Sequence, residues 1–401
     1  MTGMRGRTIR VIVCFVLVAI GITGFVTGRD SRKLHANAIV IDMHNDVVQR
    51  MMQGEDIGKS TGQGHSDLPR FRSGGIDVEF FSIWVPPGDT KPSYYKQANL
   101  QIDTMEAFAR KYPSLAGIAS TTLEAERLMQ NGKFVIMLGL EGGHPIENDT
   151  NKLKELRRRG IRYMTLTWNN STDWATSAAD EEGDKTKSRK KGLTTFGKQV
   201  VKVMNRIGII VDVSHVGEQT FWDVMKTTSK PVIASHSSVW SLCKNRRNLK
   251  DEQIRAIAKS GGVVCINFAP QFLDSTFAGK EKKMLVRQQS QIDSLKERFA
   301  GDAIRCDSII TDLKKQNYDS IRPPLSVLVD HFNYVAKLVG ADHVGIGSDF
   351  DGIGLAPREM DDVASLPALT EELVKCDYSD DDIRKILGGN ILRVLHDVDA
   401  K

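Results

Sequence analysis

The chain has 401 residues, of which 40% are hydrophobic and 26% are charged, with a formal net charge of +5. This is the composition of an ordinary folded enzyme, and the chain is long enough to bury a large core. Three of the positive charges precede an apolar N-terminal run, so cleavage after that run would leave only about +2, and we expect no nucleic acid partner.

The first predicted element is the uncharged run of residues 11–28, which follows Arg5, Arg7 and Arg10. This pattern is typical of a secretory signal peptide or an N-terminal membrane anchor. The run is at the lower length limit for a membrane span, and its small-residue cleavage site is poor, so both alternatives stay open. A buried core helix is disfavoured because the run has no polar face. Either alternative predicts export to a periplasmic or other extracytoplasmic location, with possible membrane anchoring.

Eight short apolar runs, separated by helix-like stretches, predict repeated βα units. The runs are residues 39–44, 76–85, 134–141, 162–168, 209–215, 232–236, 263–268 and 344–349. Amphipathic segments lie between them at residues 123–131, 195–206 and 251–259. Such strands close most simply into a (β/α)8 TIM barrel, which predicts one α/β domain over residues 29–401. A doubly wound open sheet would share this pattern, but no G-x-G-x-x-G motif follows the first strand.

One stretch, residues 274–322, interrupts the βα rhythm before the last strand. It is rich in Lys, Gln, Asp and Ser, and it predicts an exposed helical insertion that either covers the site or faces a partner. Its apolar residues are Met284, Leu285, Ile292, Leu295 and Phe299. Residues 366–398 then predict short closing helices.

The cysteines show no metal-binding spacing. Cys14 lies in the apolar run, and the others are Cys243, Cys265, Cys306 and Cys376, far apart in the sequence. We interpret them as isolated, mostly buried thiols, with a disulfide as the alternative in an oxidising compartment.

Polar residues stand where the predicted strands end, which is where a (β/α)8 barrel builds its active site. They are His44 and Asp46 on strand one, Glu141 on strand three, His215 on strand five, His236 on strand six and Asp349 on strand eight. Burying such groups is costly without a partner, and a divalent cation is such a partner. His44 and Asp46 are two residues apart, so on an extended chain they face the same side and can bind one ion.

The donors are imidazoles and carboxylates without a thiolate, a set that suits Zn2+ best and tolerates Mn2+ or Co2+. Six candidates are too many for one open tetrahedral site. They suit two ions per chain, about 3.5–4 Å apart, that share a bridging carboxylate and a hydroxide. The sequence therefore predicts a metal-dependent hydrolase.

The chain resembles the membrane dipeptidase (renal dipeptidase-like) family, peptidase family M19, over nearly all of its length after Leu34. The matching motifs are residues 41–46 (IDMHND), 65–70 (HSDLPR), 141–144 (EGGH), 212–215 (DVSH), 235–238 (SHSS), 246–248 (RRN) and 347–352 (GSDFDG). The resemblance implies that His44 and Asp46 hold one zinc, that His215 and His236 hold the other, and that Glu141 bridges both and so contributes to catalysis.

The resemblance also implies that Arg247 recognises the substrate carboxylate and that Asp349 handles the proton of the bridging water. The expected activity is a zinc-dependent dipeptidase that cuts the peptide bond of dipeptides through a metal-bridging hydroxide, and the expected assembly is a homodimer. From the residues alone, Arg247 is a weak signal, since such an arginine would usually be a surface charge.

The chain departs from the family at Trp168, where members often carry a substrate-facing histidine. An indole N–H can donate a hydrogen bond but cannot be protonated. Trp168 therefore either donates to the oxyanion or shapes the substrate pocket, or it packs with Met164 and Leu166 on one strand face. In the second case Asn169 could supply the donor.

Two other functions compete with the dipeptidase. One is a metal-dependent amidohydrolase acting on cyclic amides, lactones or phosphoesters, which the absence of an obvious metal-bridging lysine after strand four disfavours. The other is a non-enzymatic envelope binding protein with the same barrel, which the presence of all expected ligands disfavours.

Overall fold

Parallel strands alternate with helices along the chain. The computed structural model describes residues 29–88, 91–183, 191–299 and 303–399, and the residues from Ser31 onward belong to one compact unit. The strands in these ranges are β1 (Ile41–Asn45), β2 (Val78–Trp84), β3 (Ala116–Ile118), β4 (Phe134–Glu141), β5 (Ile161–Thr165), β6 (Ile210–Asp212), β7 (Val232–Ala234), β8 (Val263–Ile266) and β9 (Val344–Ile346).

The helices of the same ranges pack around the strands or close the ends of the fold. They are α1 (Ser31–Ala36), α2 (Val48–Met52), α3 (Leu68–Ser73), α4 (Tyr94–Lys111), α5 (Thr122–Gln130), α6 (Thr150–Arg158), α7 (Ala178–Glu182), α8 (Thr195–Ile207), α9 (Glu218–Thr227), α10 (Asp251–Lys259), α11 (Pro270–Leu273), α12 (Phe277–Arg298), α13 (Ala303–Ile321), α14 (Leu325–Val339), α15 (Leu366–Lys375), α16 (Asp380–Arg384) and α17 (Asn390–Asp399).

Eight of these strands form a closed parallel barrel, which confirms the predicted (β/α)8 fold. The hydrogen-bonded order is β2-β1-β9-β8-β7-β6-β5-β4-β3, and a parallel pairing of β2 with β4 closes the ring. The ninth strand, β3, lies outside the ring beside β4. The prediction of eight strands missed it because its sequence, Ala-Gly-Ile, contains a glycine and no run of large apolar residues.

Several strands end earlier than predicted. For example, β6 ends at Asp212 rather than at residue 215, and β9 ends at Ile346 rather than at residue 349. The residues beyond these ends leave the sheet, and both His215 and Asp349 have a positive φ that no β-strand residue adopts. The predicted ligands of these strands therefore stand in the loops that follow the barrel.

The barrel core is apolar on both sides of the sheet, as a parallel sheet requires. Most strand residues are buried, and a large cluster joins the strands to the surrounding helices. A second cluster joins strand residues such as Ile41 and Tyr163 to Ile391 and Val394 of α17. The C-terminal helix is therefore part of the core packing.

The predicted insertion before the last strand is confirmed as the two long helices α12 and α13. Met284 and Ile292 are buried, whereas Leu285 is 43% exposed. Ile292 packs with Cys306 and Ile310, and Leu295 and Phe299 border this small cluster. The insertion thus buries part of its apolar residues and leaves Leu285 exposed, as an amphipathic helix does.

The proposed signal or anchor segment, residues 1–28, lies outside the described residues, as does Cys14. Among the residues that are described, no helix combines the length and the apolar character needed to cross a bilayer. Cys243, Cys265 and Cys306 are free and buried, and Cys376 is free and exposed.

We expect His331 on α14 to make stability depend on pH. Burial lowers the pKa of His331 to about 4. Nδ1 of its neutral ring accepts a hydrogen bond from the Val239 N–H at 3.0 Å, and its Nε2–H donates to the Leu273 carbonyl oxygen at 3.1 Å. Because the folded pKa is below the unfolded value near 6.5, the stabilisation is present above that value and is lost as the pH falls towards 4.

Protonation of His331 is expected to lower the free energy of unfolding by on the order of 3 kcal/mol at most. Denaturant unfolding at pH 7.5 and 4.5 should show a smaller pH effect in His331→Gln than in the unmutated protein. The exposed His396→Gln serves as the control. Equal pH effects in His331→Gln and the unmutated protein would contradict the prediction.

Candidate active site

Five of the predicted ligands come from four separate strands and meet in one cluster at the carboxyl end of the barrel. His44 lies in β1 with Asp46 just beyond it, Glu141 ends β4, and His215 and His236 follow β6 and β7. All five residues are buried, with at most 8% of their surface exposed. The barrel topology thus brings together residues that are up to 192 positions apart in the sequence.

Glu141 occupies the centre of this cluster. Its Oε2 lies 3.5 Å from His44 Nε2, whereas its Oε1 lies 3.0 Å from His215 Nε2 and 3.7 Å from His236 Nε2. The Ser82 hydroxyl donates to Oε2 at 3.0 Å and so fixes the orientation of the carboxylate. One carboxylate oxygen therefore faces each half of the cluster.

His44 provides a test of whether the residues fit a metal ion. Its Nε2 is buried and has no hydrogen-bond partner, although Asp46 Oδ2 is 3.4 Å and Asp349 Oδ1 is 4.0 Å away. An unsatisfied buried nitrogen surrounded by carboxylates is costly unless a cation lies between them. Within the described residues, two groups could hold an ion: His44, Asp46 and Asp349, and His44, Glu141 and His236.

The histidines are also oriented as metal ligands usually are. Metal-binding histidines commonly use one ring nitrogen for the ion and the other for a hydrogen bond that fixes the ring. Here the Nε2 atoms face the cluster, and His215 Nε2 is only 3.0 Å from His236 Nε2. The Nδ1 partners are the Tyr163 hydroxyl for His44 (2.8 Å), Asn169 Oδ1 for His215 (3.2 Å) and the Ser235 hydroxyl for His236 (2.7 Å).

Three residues of this site have a strained backbone conformation. His215, Asp349 and Asp351 have φ values of 64°, 63° and 64°. Each such conformation costs about 1–3 kcal/mol for a residue with a Cβ, and it persists only where the surrounding structure enforces it. The loops after β6 and β9 thus hold these side chains in positions that a relaxed backbone would not give.

Gly352 allows the loop after β9 to approach the acidic side chains. A Cβ at this position would lie 2.1 Å from Asp46 Oδ2 and 2.4 Å from Asp349 Oδ1. Any larger residue would therefore displace both carboxylates. The glycine at the end of the GSDFDG motif is required by the packing of the site itself.

Burial and charge shift the protonation of the site. Burial, together with the carboxylates of Asp46 and Glu141, raises the pKa of Asp349 well above its usual range. Burial and the nearby Arg247 charge lower the pKa of His215 to about 4. At neutral pH this imidazole is uncharged, which is the form that binds metal ions, whereas Asp349 readily accepts a proton.

Arg247 follows β7 and lies between two cavities of the site, of about 300 and 350 Å³. It is 6% exposed, and burial lowers the pKa of its guanidinium to about 10. Its Nη2 donates to the His236 carbonyl at 3.2 Å, and the guanidinium lies 5.5 Å from the centre of the Phe272 ring. The structure thus places a buried cation, rather than a surface charge, beside the candidate metal cluster.

Trp168 lines the larger of these two cavities. Strand β5 ends at Thr165, and the alternation that would place the three side chains on one face stops there. Met164 and Leu166 are fully buried, whereas Trp168 is half-buried, and its ring centre lies 5.0 Å from that of Trp84.

Sequence reasoning missed other residues of the larger cavity. Besides the predicted residues and Asn169, which the sequence offered as an alternative donor, the cavity is lined by Gln49, Trp84, Gln271, Phe272, Asp351, Gly352 and Ile353. Asp351 and Gly352 belong to a motif that the sequence showed. Gln49 lies in α2, Trp84 ends β2, and Gln271 and Phe272 lie in α11. These residues carry no local signal, because only the closure of the barrel brings their elements to one cavity.

Comparison with known proteins identifies related chains over nearly the whole length. The family model described as membrane dipeptidase (peptidase family M19) matches residues 29–401. Dipeptidase 3 of Rattus norvegicus is 29% identical over 373 residues, which are 90% of this chain and 65% of that protein. The chain thus spans 65% of the length of this curated relative.

Two solved structures are similar to the chain in fold and sequence. The probable dipeptidase PvdM from Pseudomonas aeruginosa superposes with a TM-score of 0.74 at 26% identity, covering 92% of this chain and 97% of that one. A dipeptidase described as a metallopeptidase of family M19 superposes with a TM-score of 0.72 at 25% identity, covering 90% of this chain and 98% of that one.

Proposed function

The chain belongs to the membrane dipeptidase family, peptidase family M19, and from this premise we propose that it is a zinc-dependent dipeptidase. The observation that carries the proposal is the position of Glu141, whose two carboxylate oxygens face two groups of buried nitrogen and oxygen donors. This arrangement supports a pair of ions that share one carboxylate.

In this proposal His44 and Asp46 hold one zinc ion, His215 and His236 hold the other, and Glu141 bridges them. The short distances between the Nε2 atoms of His215 and His236 and between His44 Nε2 and Asp46 Oδ2 support this division. When bound, the ions supply an activated water molecule and Lewis acidity for the scissile carbonyl. Mn2+ or Co2+ would suit the same donors.

Asp349 is proposed to carry the proton. Its Oδ2 accepts a hydrogen bond from Asn267 Nδ2 at 2.8 Å, which holds the carboxyl group in place, and its Oδ1 faces His44 and the cluster. The raised pKa of Asp349 suits a group that takes a proton from the attacking water and delivers it to the departing amine. Both transfers require only that the carboxyl group stay beside the reacting atoms.

Arg247 is proposed to bind the free C-terminal carboxylate of the substrate. A bidentate pair between guanidinium and carboxylate is strong and directional, particularly where water is excluded. Because the carboxylate must reach Arg247 while the scissile carbonyl lies over the metal cluster, this ion pair would direct cleavage to the peptide bond next to the C-terminal residue, which in a dipeptide is the single peptide bond.

Trp168 is proposed to contribute an indole N–H to the oxyanion or to shape the wall that contacts the substrate. Its ring centre is 6.3 Å from that of His215, so it stands beside the cluster. Trp84 at the end of β2 has its ring centre 5.0 Å from that of Trp168, and both line the cavity that Arg247 also borders. In this proposal the two tryptophans form a wall that would contact the N-terminal residue of a dipeptide.

The proposal is tested by assaying the purified chain, with its metal content measured, on a dipeptide library, on N-acyl and C-amide dipeptides, and on lactones and phosphotriesters. We expect hydrolysis of free dipeptides with about two zinc ions per chain. Turnover confined to lactones or phosphoesters would overturn the dipeptidase assignment in favour of another hydrolase. Metal-loaded protein without any turnover would favour a binding protein.

Export and assembly are proposed on the basis of sequence alone. Three arginines before the apolar run of residues 11–28 support export, with the segment either cleaved or kept as an anchor. The family resemblance supports a homodimer. Sequencing the mature N-terminus and measuring the molar mass in solution would test these two points.

We expect that replacing Arg247 with Ala, or blocking the substrate C-terminus as an amide, each lowers kcat/KM by roughly 10- to 100-fold. Both changes remove the same ion pair, so their effects should not add. The measurement is a double cycle of kcat/KM with the acid and the amide on both proteins.

Arg246→Ala is the matched control, because the neighbouring Arg246 is exposed and pairs with Glu182 at 2.8 Å. If the unmutated enzyme cleaves the acid and the amide equally well, Arg247 does not recognise the carboxylate, and longer peptides become plausible substrates.

A further inference from the structure

Asp212 is a buried carboxylate that accepts hydrogen bonds from backbone N–H and hydroxyl groups. It ends β6 and is fully buried, and its Oδ1 accepts from the backbone N–H groups of Ser214 (3.0 Å) and Ser235 (2.8 Å). Its Oδ2 accepts from the hydroxyl groups of Thr165 and Ser235. Four donors therefore satisfy both carboxylate oxygens, which allows the ionised form to be buried.

The hydroxyl group of Ser235 connects this carboxylate to a candidate metal ligand. Ser235 Oγ lies 2.7 Å from Asp212 Oδ2 and 2.7 Å from His236 Nδ1. An ionised carboxylate can only accept, so the single hydroxyl proton of Ser235 must point towards Asp212. The lone pairs of Ser235 Oγ are then left to accept from Nδ1, which must carry the ring proton of neutral His236.

This chain of hydrogen bonds selects one tautomer of His236. With the proton on Nδ1, the lone pair of Nε2 points into the cluster, where Glu141 Oε1 is 3.7 Å away. The Nε2–H tautomer would leave Nδ1 without a donor opposite it and would direct a proton at the ion. His236 is 1% exposed, so water cannot replace the lost hydrogen bond.

His236 differs in this respect from the other two histidines. His44 Nδ1 is bonded to the Tyr163 hydroxyl and His215 Nδ1 to the Asn169 amide, both uncharged groups. Within the described residues, His236 is thus the one histidine of the cluster that is linked to a carboxylate through its outer nitrogen. A carboxylate in this position raises the donor strength of a metal-binding imidazole and fixes its ring.

We propose that Asp212 and Ser235 are positioning residues that act through His236: the Asp212–Ser235–His236 relay sets the tautomer and orientation with which His236 binds its metal ion. This inference rests on the proposed metal centre. It adds two residues that do not touch the substrate, and it assigns their effect to the ion that His215 and His236 hold.

The test compares the zinc affinity of apo proteins by competition with a chromogenic chelator. Ser235→Ala removes the relay, and we expect the affinity of one of the two ions to fall by roughly 10- to 100-fold. Ser235→Thr keeps a hydroxyl group and should restore the affinity. Thr165→Val is the matched control, because it removes the other hydroxyl donor to the same oxygen of Asp212 but has no contact with His236.

The outcomes separate the relay from a general structural role. Melting temperatures of the apo proteins report any common loss of stability, which Ser235→Ala and Thr165→Val should share. Unchanged zinc affinity in Ser235→Ala, or an equal loss in Thr165→Val, would overturn the relay while the unmutated protein still binds two ions and cleaves dipeptides. An unmutated protein that binds no zinc would overturn the proposed metal centre and the relay together.

Discussion

Replacing Asp349 with Asn is expected to leave both metal ions bound and to lower kcat by more than about a hundredfold, since a positioned acid–base group contributes roughly 10²–10⁴. An asparagine amide has the shape of the carboxyl group and can still accept from Asn267, but it cannot take up a proton. His44, Asp46 and Glu141 remain in place to hold the ion on that side of the cluster.

Metal analysis and steady-state kinetics on the same preparation check this prediction. Asp342→Asn provides a matched control at the other end of β9, where Asp342 is largely exposed and pairs with Lys385. Near-normal turnover would remove Asp349 from its proposed role and make Asp351 the next candidate. Loss of a metal ion together with activity would instead indicate that Asp349 is a ligand.

Replacing Glu141 with Gln is expected to weaken both metal positions at once. The carboxylate supplies negative charge to each half of the cluster through a different oxygen, and a neutral amide offers one weaker oxygen and one N–H group that faces the histidines. The expected fall in affinity exceeds the 10- to 100-fold that the loss of an outer hydrogen-bond partner typically causes. Activity should fall with the metal content.

The measurement is the zinc stoichiometry and affinity of the variant, with Glu155→Gln on the exposed face of α6 as the control. The bridging position predicts a loss at both ions, whereas a ligand of one ion alone would leave the other unchanged. Retention of two ions with unchanged affinity would show that Glu141 does not bind metal.

The barrel and the residue types at the carboxyl ends of its strands could be predicted from the sequence because both produce local sequence patterns. Apolar runs of strand length separated by amphipathic segments leave few ways to bury all of them, and the closed parallel barrel is the simplest. His44 and Glu141 stood out because each is a polar residue at the end of such a run. That pattern is visible without knowing which strands are neighbours.

The way in which the cluster divides into two halves around Glu141 could not be predicted from local sequence patterns. That the two oxygens of Glu141 face His44 and His215 separately depends on the spacing of β1, β4 and β6 around the ring. Ser82, which holds this carboxylate, is an unremarkable serine within an apolar strand. Distances between side chains on different strands have no counterpart in local sequence.

The sequence by itself determined the fold class, the chemistry of the donor set and the motifs that relate the chain to its family, because periodicity and residue type are local properties. The tertiary structure alone decided where the strands stop, that Trp168 faces the cavity, and that Asp212 reaches His236 through Ser235. These depend on positive φ angles, loop paths and hydrogen bonds between strands. Such features are fixed only when the barrel closes and brings hydrogen-bond donors and acceptors of different strands within reach of one another.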